Sequence, residues 1–237
     1  MIKPRPLAGR PAPRVAALAL LLAVGLSGCG VAGADFHPGV AAQVGDQSIT
    51  VSQVDSVASS YCSAITNQLQ SNNQVLPMNY LRTGVAGRLT LVAAAKQFAA
   101  DRGVSAGSQY DQKVAQLQGA VASLPQDQQD AVITIESSAD YITGVEQAVG
   151  KQELKAQGTT KASAADEAAA GKKAFSAWLA DQSISIDPQF GLKIEQDQTV
   201  PTDTSISYAL SDTARSGAAS TPDQTYAAGL PASNRCG

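Results

Sequence analysis

The amino-acid sequence predicts a mainly α fold: about five helices behind a small β-hairpin, a short strand after them, and a flexible tail. Three observations carry this. Apolar residues recur at three- and four-residue steps through most of residues 51–180, as in helices that bury one face. The chain is rich in Ala and Gln, both good helix formers, and poor in aromatics, at 5%. Strand-like patterning is confined to two short places, around Gly45-Asp46 and at Ser183–Ile186.

The first 28 residues stand apart from this pattern. Residues 1–14 carry Lys3, Arg5, Arg10 and Arg14 without an acid, and residues 15–26 are apolar throughout. A basic stretch followed by a short apolar one describes a secretory signal. The apolar run falls short of the roughly 20 residues that a spanning helix needs. It ends in Leu26-Ser27-Gly28-Cys29, which resembles the bacterial lipobox and implies cleavage before Cys29 with diacylglycerol on its thiol. A plain secreted protein with a cysteine there by chance is the alternative. Two acyl chains meet the requirement for stable anchoring, which one chain does not. The expected location is the cell membrane, lipid-anchored on the extracytoplasmic face through Cys29.

Removing residues 1–28 leaves 13 Lys+Arg against 20 Asp+Glu, a net charge near −7. Binding to nucleic acid rests on clustered cations that displace counterions, so no nucleic-acid partner is expected. A polybasic patch on anionic lipid is disfavoured for the same reason. Besides Cys29, Cys62 and Cys236 remain. Two thiols outside the cytoplasm are expected to pair, with free thiols or pairing to another molecule as the alternatives. In the chain-entropy picture a loop of this length stabilises by about 5 kcal/mol at most.

Residues 29–39 form the tether. Val40–Thr50 follows, with Gly45-Asp46 as a turn between two short runs, and Thr50 with Gln53 fits a capping box. Val54, Ala58, Tyr61, Cys62, Ile65 and Leu69 form one apolar face of the first helix, which Ser71-Asn72-Asn73 ends. A second helix starts near Asn79, with Leu81, Val85, Leu89, Val92, Ala95 and Phe98 in phase, and Gly103 stops it. A third carries Tyr110, Val114, Leu117, Val121 and Leu124. Pro125 suits the start of a long fourth helix with Val132, Ile135, Ala139, Ile142, Val145 and Val149 on one side. Ser163 to Asp166 resembles a capping box for a fifth helix holding Phe175, Trp178 and Leu179. Ser183–Ile186 alternates as a short strand, and residues 187–191 turn. From about residue 195 the composition shifts to Thr, Ser, Asp, Ala, Gly and Pro, which predicts an extended or disordered tail over 195–237.

No catalytic constellation stands out. The one histidine, His37, lies in the tether beside Pro38, so no intrachain His/Cys zinc site or histidine-based triad is expected. No phosphate-cradling glycine loop occurs. Asp127, Asp130 and Glu136 are expected to line a solvated helix face rather than to form an acid/base pair. Phe175, Trp178 and Phe190 are expected in the core, with a ligand platform as the alternative. No cofactor, metal or enzymatic activity is implied.

Ala41-Ala42-Gln43-Val44-Gly45-Asp46-Gln47-Ser48-Ile49-Thr50 and the residues through Asp55 resemble the opening of SurA-type periplasmic chaperones. There a short strand leads into the first helix. Ala99–Ser105 resembles that family's helix–Gly–Val–Ser step, and Ile184–Gly191 resembles the returning strand of actinobacterial lipoproteins of this type. The likeness runs over about residues 40–191 in order and element count. Gly45-Asp46 stands where the family usually has Asn-Gly, and Gln189 where an arginine is expected. No parvulin-like segment follows residue 195, so prolyl isomerase activity is not implied. The resemblance implies a helical domain over 40–194 whose hairpin strand lies beside residues 184–186, closing the domain on itself. It also implies weak docking of unfolded exported polypeptides on apolar surface, without catalysis. A structural or interaction lipoprotein with one defined partner is the alternative, and a two-lobed solute-binding protein is disfavoured for want of alternating strands and helices.

Overall fold

The computed structural model of the chain describes residues 38–159, 161–202, 209–219 and 221–237. The signal segment, Cys29, His37 and most of the tether lie outside the described residues. Strand β1 (Val40–Val44) runs into β2 (Gln47–Thr50) through Gly45, whose φ of 53° suits a residue without Cβ. The pair is antiparallel, with a bulge between Val40 and Ala42. The Thr50 hydroxyl accepts the backbone N–H of Gln53 at 3.0 Å, starting α1 (Val51–Ser71).

After β3 (Leu76–Pro77), helix α2 (Met78–Arg102) runs about 38 Å at 1.5 Å per residue and forms the spine of the fold. Its first half, with Leu81, Val85 and Ala86, packs with α1, Ala42 and Ile49 in one core cluster. Its second half, with Ala94, Ala95 and Phe98, packs with Val44, Val145, Val149 and Phe175 in another. Gly103, at φ 63°, closes α2 in a Schellman arrangement: Gly103 N–H reaches Ala100 O and Val104 N–H reaches Ala99 O.

Helix α3 (Gly107–Val121) is followed by α4 (Gln126–Glu136) and α5 (Ser138–Ala156), two helices where the periodicity predicts one. The break has a local cause. The buried hydroxyls of Ser137 and Ser138 donate to Ile133 O at 2.6 Å and Ile135 O at 2.7 Å, taking up carbonyls at the end of α4. Helix α6 (Ala164–Ala180) opens on the full Ser163/Asp166 capping box. It returns against α5 over its length, and the two backbones touch where Gly150 and Gly171 face the partner helix. A Cβ on Gly171 would lie 1.7 Å from Glu146 O, and one on Gly150 would lie 1.8 Å from Glu167 O. Only glycine fits there.

Strand β4 (Ile184–Ile186) pairs antiparallel with β1, giving the sheet order β2-β1-β4 and joining the two ends of the helical domain. A 3-10 turn over Pro188–Phe190 leads into β5 (Leu192–Glu195) and β6 (Gln198–Pro201), a second antiparallel hairpin. The chain ends with α7 (Asp212–Ala218), α8 (Gln224–Gly229) and β7 (Arg235–Cys236), which pairs with β3. Among the described residues the fold is thus eight helices with small antiparallel strand pairs.

Where an extended or disordered tail is expected from residue 195, the described residues hold these short elements, and β5–β6 straddles the expected boundary at 194. Composition misses what orders the segment. Ser211 and Asp223 cap their helices by accepting Ala214 N–H and Tyr226 N–H. Ala227 is fully buried, and the Cys62 and Cys236 sulfurs lie at bonding distance with Cα atoms 5.6 Å apart.

Because the α5–α6 crossing leaves no room for a methyl, Gly171→Ala is expected to destabilise the domain by about 2 kcal/mol or more. Urea unfolding at neutral pH measures this. A loss under about 0.5 kcal/mol, the size of an ordinary surface substitution, would contradict the close approach.

Candidate functional site

An open cleft of about 720 Å³ lies between the last turns of α6 and the strands β4 and β5. Leu179, Ile184, Ile186, Leu192 and Ile194 supply its apolar side chains, and Ala177 and Ala180 line it from the exposed side of α6. Ser176, Gln182, Lys193 and Gln196 complete a mixed lining, and the strand register explains its apolar part. Ile184 and Ile186 sit directly opposite Val44 and Ala42, and paired residues of an antiparallel sheet share a face. The cleft is therefore a fringe of the hydrophobic core that β5 does not quite cover. Among the described residues, β4 pairs with a strand on one edge only, as does β5.

Hairpin β5–β6 forms one wall of the cleft; Leu192 and Ile194 pack against the two core clusters, and two further contacts hold it. Thr199 on β6 fits against Gly87 on α2, where a Cβ would come within 2.8 Å of the Thr199 hydroxyl. At the turn, where Gln196 has a φ of 57°, the Asp197 carboxylate meets the Lys172 ammonium of α6 at 2.9 Å. Lys193 and Glu195 of β5 pair with each other.

Beside that turn lies Glu146 of α5, which is only 8% exposed. Burial, and then the negative charge of Asp197, push its pKa from 4.5 up to about 7, with Lys172 partly opposing. The Lys172 pKa is raised by its hydrogen bond to Asp197 and by that carboxylate's charge. Glu146 Oε1 and Asp197 Oδ1 are both buried and accept no hydrogen bond among the described residues. Nothing in the sequence reading singled out this cluster. A signal existed for Glu146, which sits four residues after Ile142 and three before Val149, on the apolar stripe of α5. Asp197 lies in a short polar turn and carries no comparable signal.

The acids singled out from the sequence do not converge. Asp127, Asp130 and Glu136 are exposed on α4 and engage three different groups, Ser60, Gln126 and Tyr61. Burial and the Glu136 hydrogen bond raise the Tyr61 pKa. Phe175 and Trp178 join Phe98 in an aromatic cluster, with the Phe98 and Phe175 ring centres 5.2 Å apart, and Arg102 lies over Phe98. Trp178 donates to Asp101 at 2.9 Å. Phe190 packs separately in the other cluster, beneath Arg82. Cys62 and Cys236 join α1 to β7. Cys29 and His37 lie outside the described residues. Among the described residues no three or more His, Cys, Asp or Glu gather as for a metal ion. No helix there is long and apolar enough to cross a membrane.

The described chain is thus a mainly helical domain with small antiparallel strand pairs and an open cleft between α6, β4 and β5. No family model matches it, and neither a curated protein nor a solved structure does.

The salt bridge at the hairpin turn can be tested alone. Lys172→Met leaves Asp197 facing Glu146 without its cation. The expected loss at pH 7.5 is roughly 1 kcal/mol, held to that size because the lysine is half exposed and solvent screens the pair. Thermal unfolding should show a smaller loss at pH 5, where Glu146 carries a proton. An equal loss at both values would separate the lysine from the acids.

Proposed function

We propose that this protein is a lipid-anchored lipoprotein of the extracytoplasmic membrane face that shields segments of exported polypeptides during folding, without catalysis. One observation carries the docking part: an open, partly apolar cleft flanked by two strands, each with a second edge that no strand occupies among the described residues. Extended chain can add to such edges by main-chain hydrogen bonds while alternate side chains enter the apolar space. Two further supports come from the sequence. The basic, apolar and Leu-Ser-Gly-Cys29 segments argue for export and lipidation. The likeness of residues 41–55, 99–105 and 184–191 to SurA-type chaperone domains accords with the pairing of β1 and β4.

A specific observation favours the alternative, an interaction lipoprotein of the cell envelope with one defined partner. The large apolar side chains exposed among the described residues are Tyr80, at 44%, and Leu210, at 84%. Two scattered residues make no broad adhesive patch, so docking relies on the cleft alone.

Both readings are open to measurement. A few-fold molar excess of the mature chain should slow aggregation of a reduced, unfolded client several-fold by light scattering. Ala177→Glu and Ala180→Glu, which place charge in the cleft from exposed positions, should abolish most of that effect. No slowing at several-fold excess sinks the chaperone reading, and crosslinking in membranes to a single protein would favour the alternative. For the anchor, Cys29→Ser should leave the protein unprocessed or shift it from the membrane to the soluble fraction. Unchanged processing and unchanged membrane binding would overturn the lipidation proposal.

A further inference from the structure

We propose that the Cys62–Cys236 bond is a reducible fastener: a dithiol opens it and lifts a C-terminal strap, α7 to β7, off the end of α1 and off β3, while the helical domain stays folded. The bared strip then takes extended polypeptide in the place of β7, a consequence that rests on the docking reading.

The strap is a small unit of its own. Helix α7 packs on α8, where a Cβ on Gly217 would come within 2.7 Å of the Tyr226 hydroxyl. Its cations are satisfied internally, since Arg215 pairs with Asp212 and Arg235 donates to Ala228 O. Among the described residues from 209 onward, Ala227 and Cys236 are the buried ones. Noncovalent ties to the body are correspondingly few. Gln224 Oε1 accepts the Val75 N–H at 2.9 Å, and β7 sets Cys236 opposite Leu76 and Arg235 opposite Pro77. Pro77 has no N–H to give, which weakens a ladder of two residues. A segment with so little buried surface lies at the low end of local stability. The sulfur link keeps it in place by holding its end beside its seat at high effective concentration.

The seat is apolar. Cys236 lies in the core cluster that holds Leu69, with Cys62, Ile65 and Leu76 packed at its margin. Gly237, at φ 108°, sits so close that a Cβ would come within 2.6 Å of Gln74 O and 3.3 Å of Leu69 Cβ. Lifting the strap uncovers Leu69 and Leu76 and frees the edge of β3, where β7 already shows how extended chain adds. The body has other fastenings. The first half of α1 is held by Asp55 to Arg82 at 2.6 Å, by Ser60 to Asp127 at 2.9 Å and by Tyr61 to Glu136. The β1–β4 pairing and the α5–α6 crossing involve no strap residue.

The exchange balances with a dithiol alone. Cys236 is fully buried and Cys62 is half-buried, so Cys62 Sγ is the sulfur to attack. A thiolate of the dithiol bonds to it, the S–S bond breaks, and Cys236 leaves as a thiolate that takes up a proton. The dithiol's second sulfur then displaces Cys62 and closes its own disulfide. Two electrons and two protons pass from the dithiol to the two cysteines.

The mature protein treated with dithiothreitol near neutral pH, without denaturant, tests the fastener. Iodoacetamide should then label Cys62 and Cys236, and amide hydrogen exchange should show protection falling about tenfold or more in residues 224–237 and in the last turns of α1. Amides of α5 and α6 should change little, and reoxidation should restore the original pattern. Cys62→Ser combined with Cys236→Ser should show the lifted pattern without reductant. A bond that yields only in denaturant overturns the proposal, as does reduction that leaves the strap protected or that unfolds α5 and α6 with it. Aggregation of a cysteine-free unfolded client, followed with oxidised and reduced protein, separates the two ideas. Reduced protein should slow it at least twofold more, and Ala177→Glu should keep that gain, which places it at the strip and not the cleft. A strap that lifts with no gain in holding sinks the second docking surface and spares the fastener, whereas no holding in either state sinks the docking reading itself.

Discussion

Everything else in this molecule hangs on the pairing of β1 with β4. β1 is the middle strand of three, with Ala41 and Val44 fully buried, and it hydrogen-bonds on one edge to the strand that follows it and on the other to residues about 140 positions away. Closing a loop that long is entropically costly, though the cost grows only slowly with length. It is offset because β1 sits on the spine helix: Val44 belongs to one core cluster and Ala42 to the other, and the Gln97 amide donates to Val44 O at 2.5 Å. The same pairing sets the position of Ile184 and Ile186, and so the floor of the cleft. The docking proposal and the closure of the fold depend on one set of ladder bonds.

The helices are secured differently. The α5–α6 pair derives its rigidity from missing side chains, since glycines at the crossing let the backbones meet. A thin, alanine-rich interior would otherwise leave helices far apart and poorly packed. An aromatic group, Phe98, Phe175 and Trp178, packs one to two turns farther along α6 with Val145 and Val149 of α5 in the same cluster. Close contact in one place and bulk in another let a core with few large residues remain well filled. It also explains how a glutamate can be tolerated at the crossing, since the fixed backbones leave it nowhere else to go.

Much of the fold was legible in the sequence because its signals are local. The Thr50 cap, the Gly103 stop, the Ser163/Asp166 box and the apolar faces of α1 and α2 each need only a few neighbouring residues to be recognised. The break between α4 and α5 was not legible, because apolar phase continues across Ser137 and the hydroxyl bonds that end the helix compete invisibly with that pattern. The short elements of the C-terminal segment are not legible for a different reason. Its order comes from partners far away, β3 for the last strand and Cys62 for the last cysteine, and composition has no access to these. The same holds for the site: a lone acid on the apolar face of α5 could have been noticed, but Asp197 reaches it only through the hairpin, which pairs residues on both sides of the expected domain boundary.

The bond between Cys62 and Cys236 joins positions 174 residues apart, so nearly the whole folded domain lies within one covalent ring. A protease that severs the backbone once inside that ring produces no separate pieces, only an opened circle whose two arms still hang from the same sulfur link. Clearance of such a protein then requires either two cuts with the intervening segment lost, or a reductant together with one. This topology alone confers endurance against single peptidase cuts, whatever the thermodynamic stability.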